Sequence, residues 1–226
     1  MNTILQTLLP SSPVRNIPVR QTNRRQAGST ARLLEACKQD YLGVATTQSA
    51  DGRVEWVAFA TPDEVFVISV EADYHLGLLP SDESFGRLLL GMAGHLIGFD
   101  MAKLALRLHR DLKLPVCGID LSTLFSSTRE PWRPSQFVKS KVSHLINKFE
   151  VDNLWNSANE QGSRNVCLRA WLSAWCVSRK ISDFGLAMIY ILEIVQPSPR
   201  SRLRWQMHYR WILAVFSTRF VMRSFS

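Results

Sequence analysis

The residues best spaced for chemistry lie near the C-terminus, from Arg202 to Trp211. Arg202, Arg204, Gln206, His208 and Arg210 fall on one face of a period-two pattern. Leu203, Trp205, Met207, Tyr209 and Trp211 fall on the other. A strand of this kind can turn Arg202, Arg204 and Arg210 toward phosphates. Trp205 and Trp211 then either anchor it to a folded body or stack on bases, at about 1–3 kcal/mol per base. The competing reading is that the aromatics pack as core and the arginines are solvated.

Other chemistry is sparse. His75, His95, His109, His144 and His208 are scattered. His95 is expected to open a buried strand as a satisfied core residue, and His109 and Arg110 to sit on a solvated helix face. Cys37, Cys117, Cys167 and Cys176 form no Cys-x-x-Cys pair and have no His at zinc spacing. They read as free thiols of a reducing compartment. There is no Gly-x-Ser-x-Gly, phosphate loop or His-Glu-x-x-His. No Asp-x-Glu pair occurs anywhere.

The net charge of +8 is uneven. Residues 1–32 contain five Arg and no acid, and residues 196–226 contain six Arg and no acid. The intervening body therefore sums to −3. Attraction to a polyanion belongs to the ends. No apolar run is long enough for a membrane span. The chain divides into a disordered basic tail (1–32), a folded domain (33–196) and a basic-aromatic extension (197–226). An acid-free start bearing Arg and Ser leaves mitochondrial targeting open beside cytoplasm or nucleus.

The elements that must position any site begin at Tyr41. Tyr41–Thr47, Val54–Ala60 and Val65–Val70 are β-rich, separated by Ser49-Ala50-Asp51-Gly52 and Pro62-Asp63 turns. They predict an antiparallel meander. Helices are predicted over Ala31–Lys38, Glu83–Met92, Asp100–Leu112, Leu121–Phe125, Gln136–Phe149, Val151–Ala158, Val166–Val177 and Ile181–Val195. Asp100 caps the third of these and Asp120 the fourth. His95–Phe99 and Val116–Gly118 are short strands. Strand and helix alternating after a meander give an α/β fold, a mixed sheet flanked by helices.

The words of the meander, LGV-x-T-x, a turn, then V-x-x-V-x-x-ATPDEVFVI, resemble the opening of the 3′–5′ exonuclease domain of the ribonuclease D and Werner type. HLIGFDMAKLALRLHRDLKLPVCGIDLSTL resembles that family's second block, with Asp120-Leu121 at its structural Asp-Leu. WLSAWCVSRKISDFGLAMIYILEI resembles the approach to its third block, a helix bearing Tyr-Ala-Ala-x-Asp. The likeness covers about Asp40 to Val195. It implies a ribonuclease H-like fold and a two-ion Mg2+ or Mn2+ site built on carboxylates. The acids of that site fall here on Ala45, Thr47, Leu104 and Ala187. Hard divalent cations need several carboxylate oxygens, and these four residues supply one neutral hydroxyl. The expectation is therefore a degenerate exonuclease domain with no catalytic residue, metal or cofactor. It would hold RNA or DNA, or a protein partner in an RNA-processing assembly. The alternative is an active exonuclease whose site is rebuilt from Asp100, Asp183 and Glu193.

Overall fold

The computed structural model describes residues 17–70, 81–123, 132–141, 146–156, 162–180 and 192–194. The meander forms as its alternation dictates. Strands β2 (Tyr41–Gln48), β3 (Val54–Ala60) and β4 (Val65–Ser69) pair antiparallel. The first turn closes through Gly52, at φ 78°, where Asp-Gly chemistry places a left-handed residue. Strands β5 (His95–Gly98) and β6 (Val116–Asp120) then add parallel to β2, joined by helix α3 (Met101–Leu112). Two further strands complete the sheet. They are β1 (Val19–Asn23), parallel to β4, and β7 (Leu192–Ile194), antiparallel to β6. The order across the sheet is β1-β4-β3-β2-β5-β6-β7.

Helices cover both faces. On one, α1 (Ala27–Ala36), α2 (Ser81–Leu89) and α3 close over Leu42, Val44, Val57, Phe59, Phe66, Ile68 and Leu96. On the other, α4 (Pro134–Lys141), α5 (Lys148–Leu154) and α6 (Ser163–Lys180) cover Ala45, Ala58, Ala60, Val65 and Val67. Alternate residues of β2 thus serve opposite cores, as the period of two requires. Helix α6 lies almost on the backbone of β2. A Cβ added at Gly43 would meet the Ala170 carbonyl at 2.0 Å, so only glycine fits there.

Several expectations are corrected. The N-terminal tail does not extend to residue 32, because 19–23 is strand β1 and 27–36 is helix α1. The side chains of β1 are mostly exposed, so its burial pattern carries little signal. Its backbone ladder with β4 holds it instead, with Arg20 paired to Glu64. Leu192–Ile194 is a strand and not the end of a helix, since the outer edge of β6 takes its hydrogen bonds. One continuous helix over 136–149 does not form. Asn147 is an N-cap, its Oδ1 accepting from the Phe149 and Glu150 amides, and it starts α5. Residues 121–123 form a turn, where a helix is expected. His95 is exposed, against Tyr41 at 5.8 Å between ring centroids, and is not a core residue. The chain from 195 onward, with Arg202, Arg204, Trp205, Arg210 and Trp211, lies outside the described residues.

Candidate nucleic-acid site

A small open cleft, about 30 Å³, lies between β2, the end of β5, α3, α5 and α6. Ala45 and Leu104 both line it, from strand β2 and helix α3. Two positions 59 residues apart in the chain, matched through separate blocks of the resemblance, thus meet at one place. Its wall is aromatic. Phe99 packs edge-on against Trp155 at 5.3 Å and against Phe137 at 5.4 Å. The room suits a small polar group or a few waters.

Helix α3 is brought to this cleft by a cap that local rules misplace. Asp100, the expected N-cap, has φ 56° and ψ 41° and makes no capping hydrogen bond. The Met101 amide instead donates to Asp120 Oδ2 at 3.0 Å, from the end of β6. Asp120 Oδ1 accepts from the Ser122 amide at 2.9 Å and from Ser122 Oγ at 2.6 Å. Asp120 is therefore a buried structural carboxylate that ties β6 to the start of α3. Asp100 lines the cleft.

Thr47 shares the Ala45 face of β2 but is fully buried, and its Oγ1 has no hydrogen-bond partner. Ala187 and Asp183 lie outside the described residues. Glu193 stands on β7 opposite Cys117, with β5 and β6 between it and β2, so the backbone does not bring it to this cleft. Among the described residues, no three of His, Cys, Asp and Glu cluster closely enough to hold a metal ion. The donor set at positions 45, 47 and 104 does not fit a two-ion centre: two side chains carry no oxygen and the third is a neutral hydroxyl. Cys167, on α6, is no substitute nucleophile, because burial pushes its thiol up to about 11. Burial raises the Cys176 thiol as well.

The cleft is instead lined by cations absent from the sequence-based candidates. Lys103 and Arg107 flank Leu104 on α3, and Arg169 enters from α6. Arg169 is 4% exposed, and its Nη2 donates to the Thr46 carbonyl of β2 at 2.7 Å. An arginine inside the apolar run Val166-Cys167-Leu168-Arg169-Ala170-Trp171-Leu172 is itself a signal that a charge is being placed deliberately into a packed helix. Trp155 is a further residue that periodicity alone does not single out.

No family model and no curated protein sequence matches the chain. Solved structures do. Trypanosoma brucei RNase D superposes with a TM-score of 0.58 at 11% identity, covering 77% of this chain and 68% of that one. Its complex with GMP gives 0.56 at 13%, covering 84% and 61%. Escherichia coli RNase D, described as an exoribonuclease involved in structured RNA processing, gives 0.50 at 13%, covering 74% and 44%. This chain thus spans less than two thirds of the GMP-bound trypanosome chain and under half of the Escherichia coli enzyme. With a mixed sheet that contains an antiparallel meander and is covered by helices on both faces, the chain has the ribonuclease H-like fold of the RNase D 3′–5′ exonuclease domains.

Proposed function

We propose that this domain holds a nucleic-acid strand without hydrolysing it. The observation that supports the reading is the cleft itself, lined by Ala45 and Leu104, which the family wording matches to carboxylate positions, and by the cations Lys103, Arg107 and Arg169. Two-ion hydrolysis needs oxygen donors at those positions to activate water and to stabilise the leaving oxygen. Without them the fold keeps a strand-binding shape and loses the reaction. Trp155 at the rim offers a ring on which a base can stack. The stretch 202–211 supplies further cations for phosphates in Arg202, Arg204 and Arg210, and aromatic rings in Trp205 and Trp211.

The test is a labelled single-stranded oligonucleotide incubated with the full chain in Mg2+ and in Mn2+. The expected result is salt-sensitive binding with no shortening. Trimming that disappears in Asp100→Asn would overturn the reading in favour of an active exonuclease. No binding at any salt, with a protein co-purifying stably, would make the domain a scaffold.

A further inference from the structure

We infer that the cleft binds a phosphate of the nucleic-acid strand directly through Lys103, Arg107 and Arg169, with no divalent cation between. This rests on the reading above and specifies the chemistry of its site. On a carboxylate-lined cleft of this fold, metal ions would bridge the acids to the phosphate. Here three of the lining side chains are cations and one, Asp100, is a carboxylate. The sign of the site is therefore already opposite to that of a phosphate, and a bridging cation would be repelled by it.

The geometry supports an anion more than a solvated charge cluster. Arg169 is not on the surface. It is buried in α6, and its Nη2 donates to the Thr46 carbonyl, which ties the side chain to β2 beside the cleft. A guanidinium is planar, with donors in a fork that matches two phosphate oxygens. Lys103 and Arg107 are four residues apart on α3 and therefore share a face, at the cleft mouth. Phosphate oxygens can meet the cations while a base stacks on Trp155. Asp100 opposes the anion and limits affinity.

The experiment measures binding of a single-stranded oligonucleotide to the full chain in EDTA across a salt series, and repeats it with Mn2+. The variants are Lys103→Gln with Arg107→Gln, whose side chains are not in either core, and Arg169→Lys, which keeps the charge and removes the fork. A third variant, Arg202→Ala with Arg204→Ala and Arg210→Ala, reports on the C-terminal stretch. Inorganic phosphate serves as a competitor.

The expected result is full affinity in EDTA and weaker binding when Mn2+ is added. The Lys103/Arg107 variant should bind severalfold more weakly, with a salt slope shallower by about 1. Arg169→Lys also loses the Thr46 contact, so it should unfold at a lower urea concentration than the parent and, while still folded in buffer, lose competition by inorganic phosphate. Binding that requires Mn2+, or a Lys103/Arg107 variant with unchanged affinity and slope, would overturn the inference. If only the Arg202/Arg204/Arg210 variant loses binding, the domain still holds nucleic acid but this site does not. If inorganic phosphate binds the cleft and no oligonucleotide does, the site stands and the proposed function fails.

Discussion

Two corners of the molecule lie one helix start apart and treat charge in opposite ways. At the end of β6, Asp120 is buried, and its two oxygens take three hydrogen bonds from Met101 and Ser122. At the neighbouring cleft, Ala45 and Leu104 carry no charge and the lining cations come from α3 and α6. The first carboxylate is needed by the backbone, because a helix start leaves amides that must be satisfied. Carboxylates at positions 45 and 104 would instead serve bound cations. On the proposed reading, a scaffold is held by one acid while the chemistry next to it changes sign.

The largest effect comes from putting the acids back. Ala45→Asp with Thr47→Glu and Leu104→Asp puts three like charges in or beside one partly dry cleft. Without metal this variant should lose roughly 3–5 kcal/mol, the scale of uncompensated buried charge. Mn2+ should restore part of the loss, since cation binding to the folded state alone is stabilising. Urea unfolding with and without Mn2+ measures both. Identical curves would mean that positions 45, 47 and 104 do not converge.

The opposite corner should fail for a different reason. Asp120→Ala leaves the Met101 amide and the Ser122 hydroxyl without their acceptor, costing roughly 3 kcal/mol by equilibrium unfolding. Asp120→Asn keeps one acceptor oxygen and should recover about half of that. An Asp120→Ala protein as stable as the parent would show that α3 is not held by this cap. Oligonucleotide binding by the folded Asn variant should be unchanged, because Asp120 does not line the cleft.

The smallest effect is a gain. Thr47 buries a hydroxyl without a hydrogen-bond partner. Thr47→Val replaces it with a methyl group of similar shape and should stabilise by about 1 kcal/mol, or about 2–4 °C in Tm for a chain of this length. A loss of stability in calorimetric scans would mean that the hydroxyl is satisfied in solution.

The same contrast explains what was legible beforehand. The meander was readable because its side chains alternate at period two around an Asp-Gly turn, and both signals are local. The meeting of Ala45 with Leu104 was readable only through two blocks of family wording, since neither residue type signals chemistry. Strands β1 and β7 were not readable, because β1 is mostly exposed and both are held to the sheet by backbone ladders. The cap of α3 was assigned to Asp100 by a sound local rule, and a distant aspartate displaced it. Arg169 and Trp155 become site residues only when α5 and α6 are laid against β2, a tertiary event with no local spacing.

A cleft that prefers anions to cations is open to calorimetric titration of the full chain, first with Mn2+, then with inorganic phosphate in EDTA. The expected result is no specific heat of binding from Mn2+ and a phosphate isotherm that disappears in Lys103→Gln with Arg107→Gln. A stoichiometric Mn2+ site that is lost in Asp100→Asn would contradict it.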